Sequence, residues 1–156
     1  MSTKSVKKKH ILQRPGEFNS KIYVVKSGLL RSYSVDEKGK EHIFMFAPEG
    51  WVIADNVPPE LPTSLFIDAL ENSVIYVREK DINNEKENLQ PLVKRLLVLQ
   101  KRILMLMSAS AIARFEDFMT MYPDIMKRVP QHMIASYLGI TPQALSKLKN
   151  EKIRKS

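Results

Sequence analysis

The sequence predicts an α+β chain in which a jelly-roll-like β-roll, a double-stranded β-helix, precedes a long helix and a pair of short ones. Two patterns carry that prediction. Between about Ile11 and Lys80 the apolar residues fall in short β-type runs separated by turn residues, and after Asp81 the apolar period lengthens from two to about 3.5. Charge divides the chain at nearly the same place. Residues 1–89 hold 13 Lys or Arg against 13 Asp or Glu, net 0, whereas residues 90–156 hold 12 against 4, net +8.

The strands come first, at 22–25, 29–35, 42–46, 51–54, 64–70 and 73–77, where β-branched and aromatic residues gather with no helical stretch between them. Lys26-Ser27-Gly28 is a turn signal. Asp36-Glu37-Lys38-Gly39-Lys40 reads as a hairpin with Gly39 in the left-handed region. Pro48 with Gly50, and then Val57-Pro58-Pro59-Glu60-Leu61-Pro62, mark loops, because proline cannot donate to a ladder.

The long helix follows. No Gly or Pro interrupts residues 92–122, and Leu92, Leu96, Leu99, Ile103 and Leu106 recur at alternating steps of four and three, as the seam of two paired helices requires. Val93, Leu97, Leu104 and Met107 form a second stripe beside it. Two apolar stripes suit one face for the chain's own roll and one for a second copy, which predicts a homodimer. Ser108-Ala109-Ser110 breaks this helix and starts another at about Ala111, whose Phe115, Phe118, Met119 and Tyr122 share a face. Pro123 and Pro130 bound a connector that carries Lys127 and Arg128.

Residues 131–150, QHMIASYLGITPQALSKLKN, have the spacing of a helix-turn-helix. Gly139 stands where the first helix must end and reverse, a left-handed position that glycine adopts most cheaply. Thr141 is a good N-cap for the second helix, and Pro142 at its first position lacks only an N–H that would have no partner there. Ile134, Leu138, Ile140, Leu145 and Leu148 supply the faces that hold the pair together, and Ala135 is small where the helices cross. On the second helix Gln143, Ser146, Lys147 and Asn150 share one outward face. In a major groove Gln pairs with adenine and Lys approaches the acceptors of guanine, so these four are the candidates for reading bases. Lys127, Arg128, Thr141, Lys149, Lys152, Arg154 and Lys155 flank them as candidates for holding phosphates. The excess positive charge lies in the same part of the chain, as binding to a polyanion requires. An αα-hairpin with a solvated basic tail, serving a protein-interaction scaffold, is the other reading of these residues, and it predicts no preference among DNA sequences.

Several functions are excluded or left without machinery. The chain has no cysteine, hence no disulfide, thiolate zinc site or cysteine-held iron–sulfur cluster of its own. His10, His42 and His132 are too scattered to predict a metal or haem site. Neither a Gly-rich phosphate loop, a His-Glu-x-x-His helix nor a Ser elbow occurs, so no enzyme is predicted. Lys94, Arg95, Lys101 and Arg102 interrupt the longest apolar region, against a membrane span, and the basic stretch from Met1 to Lys9 lacks the apolar segment of a secretory signal. The cytoplasm is the expected compartment.

Tyr23-Val24-Val25-Lys26-Ser27-Gly28 resembles the barrel hairpin of the Crp/Fnr family of bacterial transcription regulators, and residues 129–147 resemble that family's DNA-binding helices. The resemblance spans nearly the whole chain. It implies a cyclic-nucleotide-binding-type β-roll over 1–88, a dimerisation helix over 89–109 and a helix-turn-helix domain over 110–156, acting on double-stranded promoter DNA with contacts to RNA polymerase. It also implies a departure. Members that bind cyclic AMP hold its ribose with a Gly-Glu pair and its phosphate with an Arg followed by a small residue, yet residues 50–70 here contain no Arg or Lys, and Thr63-Ser64 stand about where that Arg is expected. Without a cation a buried phosphate lacks its main partner, so no cyclic AMP binding and no cofactor are expected, and any small-molecule effector is of unknown class. The family's C-terminal wing is likewise not matched, which would leave its phosphate contacts to Lys152, Arg154 and Lys155.

Overall fold

A computed structural model describes residues 2–80 and 89–155, except for the side chains of 89–92, 94, 95 and 152–155. The chain divides into two compact units, Met1–Asn83 and Asn84–Ser156. The boundary expected at 88 falls among residues outside the described ones.

The described residues of the first unit form eight strands: β1 (Ser2–Val6), β2 (Ile11–Gln13), β3 (Lys21–Ser27), β4 (Leu30–Val35), β5 (Glu41–Ala47), β6 (Val52–Ala54), β7 (Phe66–Ala69) and β8 (Ser73–Glu79). They form two antiparallel four-stranded sheets, β1-β8-β3-β6 and β2-β7-β4-β5. Among the described strands only β4 and β5 are both neighbours in the sheet and successive in the chain, the mark of a jelly roll. Val6, Tyr23, Val25, Leu30, Ala47, Ile53, Ile67, Ala69 and Ile75 are buried together at its core. Tyr23 gives its hydroxyl proton to the Leu12 carbonyl at 3.1 Å, and burial, followed by Glu17 and Glu79, pushes its pKa up to about 12.

Turn chemistry fixes the register of the β4–β5 hairpin. Gly39 sits at φ 76°, its N–H donates to the Asp36 carbonyl, and the Asp36 carboxylate accepts the N–H groups of Lys38 and Lys40 and binds His42 Nε2 at 2.9 Å. His42 is thus an exposed strand residue with a local partner. Gly28, between β3 and β4, is required for a different reason. At φ 92°, a Cβ there would lie 2.7 Å from the Asn72 carbonyl oxygen and 2.8 Å from Ser73 Cα.

One buried charge holds three strands of the second sheet together. Arg31 on β4 donates to both carboxylate oxygens of Asp68 on β7, at 2.9 and 3.0 Å, and to Glu41 on β5, and its guanidinium lies 4.0 Å from the Tyr33 ring centroid. Burial alone would lower its pKa, but the bonds to Asp68 and Glu41 raise it further and keep the group charged.

The second unit is helical: α1 (Leu89–Ser108), α2 (Ala111–Met121), α3 (Ile125–Arg128), α4 (Gln131–Leu138) and α5 (Pro142–Lys155). The break expected at 108–110 is there. Ser108 Oγ donates back to the Leu104 carbonyl at 2.6 Å, and Ser110, extended at φ −63° and ψ 159°, accepts the Ala113 N–H as the N-cap of α2. Helix α3 was not expected; it occupies the connector between the two prolines. Tyr122 and Phe118 meet Tyr137 of α4 with ring centroids 5.7 and 5.4 Å apart, and Ile134, Leu138 and Leu145 are fully buried with them.

Candidate nucleic-acid interface

The reversal between α4 and α5 is built from the backbone outward. Gly139 is left-handed at φ 65°, ψ 35°, its N–H donates to the Ser136 carbonyl at 3.1 Å, and the Ile140 N–H donates to the Ala135 carbonyl at 3.0 Å. That pair of bonds is the Schellman motif. Two carbonyls of the last turn remain, and arginines from other helices meet them. Arg114 of α2 donates from Nη1 to the Leu138 carbonyl at 2.8 Å; Arg102 of α1 stacks 4.0 Å from the Tyr137 ring centroid and reaches the Tyr137 carbonyl at 3.5 Å. All four terminal carbonyls of α4 therefore have donors, and both cations sit where the helix dipole favours them. Sequence reasoning missed this role, because a backbone acceptor leaves no mark in the sequence.

Across the turn, Thr141 caps α5 by accepting the Ala144 N–H at 3.1 Å, and Leu145 faces inward. The other side of α5 then points away from the core. Gln143, Ser146, Lys147 and Asn150, at i, i+3, i+4 and i+7, share that outer side over two turns. All four are exposed. The phosphate set is less uniform. Thr141 and Lys127 are exposed, while Lys149 and Arg128 are half-buried and Arg128 has a partner of its own. The side chains of Lys152, Arg154 and Lys155 lie outside the described residues, as does that of Leu92 in the helix seam. Of the other seam residues Leu96, Ile103 and Leu106 are exposed and Leu99 is half-buried; Val93, Leu97, Leu104 and Met107 of the second stripe are exposed as well.

The corner of the roll where the resemblance puts a cyclic phosphate does not fit one. The N–H groups of Ser64 and Leu65 point into it, but they donate to the carboxylate of Asp55 at 2.8 and 2.9 Å. Nor do the described residues include a group of three His, Cys, Asp or Glu able to hold a metal ion, or a helix long and apolar enough to cross a membrane.

Comparison with known proteins agrees with this architecture. No family model matches the chain. It is 23% identical to an anaerobic regulatory protein of Haemophilus influenzae over 168 residues and 26% identical to the regulatory protein HlyX of Actinobacillus pleuropneumoniae over 165, each alignment covering 93% of this chain. It spans 64% of the length of the first and 69% of the second. Among solved structures, FixK2 from Bradyrhizobium japonicum superposes with a TM-score of 0.76 at 19% identity, covering 99% of this chain and 85% of that one. A CRP/FNR-family transcriptional regulator from Thermus thermophilus gives 0.72 at 18%, covering 99% and 87%. The chain shares its fold with regulators of the Crp/Fnr family. These relatives bear the names of regulators, and a β-roll followed by helices runs through the described residues in the order the sequence predicts.

Proposed function

We propose that this chain is a sequence-specific DNA-binding transcription regulator of the Crp/Fnr type that works as a homodimer in the cytoplasm. The observation that carries the reading is the outward face of α5. Four hydrogen-bonding side chains stand at helical spacing on a helix that Thr141 caps and that the Schellman turn joins to α4, whose last carbonyls the two arginines hold. In the dimer, paired along α1, two such helices enter successive major grooves about 34 Å apart and read a pseudo-palindrome. Gln143, Ser146, Lys147 and Asn150 contact base edges. Lys127, Arg128, Thr141, Lys149 and the basic tail, Lys152, Arg154 and Lys155, meet phosphates, and RNA polymerase is the partner at the promoter. Cyclic AMP is not its effector.

Selection from a random double-stranded DNA library, followed by the salt dependence of binding to the winning site, tests this. A two-fold symmetric motif with affinity falling steeply with salt is expected. Binding that is indifferent to sequence and symmetry, or no binding at all, would overturn the reading and favour the scaffold.

A further inference from the structure

The end of β6 and the start of β7 meet over a single carboxylate. Asp55, 3% exposed, follows β6 directly; its Oδ2 accepts the backbone N–H of Ser64 at 2.8 Å and of Leu65 at 2.9 Å. The Ser64 hydroxyl lies 3.3 Å from both carboxylate oxygens, and Gln13 Nε2, from β2, lies 3.3 Å from Oδ2. Gln13 is itself buried and fixed by a 2.8 Å bond to the Leu65 carbonyl. Every donor in this set is neutral. Lys80 is turned to the backbone instead, donating to the carbonyls of Asp55 and Val57 and to the Ser20 hydroxyl.

Two successive amides, a hydroxyl and a carboxamide converging on one point make a nest for an oxyanion. A buried carboxylate in such a nest is stabilised by the same donors that would hold the oxygens of a phosphate. We propose that this corner of the roll is an oxyanion site whose permanent occupant is the chain's own Asp55, which bars the phosphate of a cyclic nucleotide from it. Two physical effects act together. The donors are already committed, and an incoming phosphate would meet a like charge at hydrogen-bonding distance, a carboxylate none of whose donors among the described residues is a cation. The missing cation of residues 50–70 and the presence of Asp55 are thus two sides of one arrangement: the nest holds a charge that is tethered and singly negative, for which neutral donors suffice. Asp55 also ties β6, β7 and β2 to one another, the constraint an external anion would otherwise supply. As a statement about regulation this rests on the function proposed above; the chemistry of the roll does not.

Removing the carboxylate while leaving the donors in place separates the two. Asp55→Ala should melt at a lower temperature than wild type, and sodium formate should raise its melting temperature well beyond sodium chloride of equal ionic strength. Wild type should respond to both salts alike, and to inorganic phosphate no more than to either. A folded Asp55→Ala that treats formate as chloride would overturn the proposal, as would specific stabilisation of wild type by phosphate. Should that variant fail to fold, amide exchange in wild type decides. The N–H groups of Ser64 and Leu65 should exchange about a hundredfold or more slowly than in an unstructured chain, and exchange at the free-loop rate would refute it. Protected amides and formate rescue in a chain that binds no DNA would sink the regulator and leave the site standing.

Discussion

Replacing Gly139 by alanine isolates the cost of one backbone conformation. The residue stands at φ 65°, where an L side chain costs about 1–2 kcal/mol. Sterics add little. The new Cβ would sit 3.4 Å from Arg114 Nη1 and 3.7 Å from Leu106 Cδ2, a tight but tolerable approach to one flexible side chain and an ordinary contact with the other. Both Schellman bonds and the bond from Arg114 to Leu138 survive as long as the backbone holds. The expected loss is therefore about 1 kcal/mol, roughly a factor of five in the folding equilibrium of the helical unit. Asparagine tolerates the left-handed region better than alanine, so Gly139→Asn should lose about half as much. Urea titration followed by helical circular dichroism reads both. A Gly139→Ala chain as stable as wild type, or an Asn variant worse than the Ala one, would refute the conformational account.

Gly28→Ala should cost more than Gly139→Ala, about 3 kcal/mol, because its Cβ meets the backbone of Asn72 and Ser73 as well as a left-handed penalty; the same urea titration checks the order. Arg114→Ala removes the donor to Leu138, and since its buried Nε has no partner to lose, about 1 kcal/mol of helical stability is expected to go, with DNA affinity falling alongside in a filter-binding assay. Lys147→Ala should cost about 1–3 kcal/mol of DNA affinity and relax preference at one base position, while Lys127→Ala weakens all sequences alike; equal, sequence-independent losses would remove Lys147 from the base-reading set. In alkali, Tyr23 keeps its proton longer in the folded chain than in the unfolded one. The stability it contributes is present below pH 10 and lost as pH rises to about 12, which Tyr23→Phe should abolish in denaturation at pH 9 against pH 11.5.

What could be read in advance was whatever depends on neighbours in the chain. Gly39, Ser110, Gly139 and Thr141 act on residues within a few positions of themselves, and the outward face of α5 follows from helical spacing. Strand β1 escaped because Ser2, Thr3, Lys4 and Ser5 are exposed and only Val6 is buried, so its conformation comes from pairing with β8 rather than from its own pattern. Helix α3, four residues between prolines, is too short to show a period. Arg31 finds Glu41 and Asp68, and Asp55 finds Ser64, across intervals that no local pattern encodes. The candidate DNA face was legible for the same reason that the arginines behind it were not. Its members answer to one helix, whereas Arg102 and Arg114 answer to carbonyls on another.

The bare stripe of α1 has a consequence for dosage. Leu96 is 57% exposed and Ile103 56%, so each chain carries an apolar surface that a second copy would cover under the proposed pairing. Ile103→Lys should then leave the lone chain intact while sedimentation finds it monomeric. When copies are scarce, the paired species grows as the square of their number. If the proposed pairing and the proposed closure of the roll by Asp55 hold, a doubling of synthesis would nearly quadruple the molecules able to span both half-sites, and such a protein can respond steeply to how much of it is made.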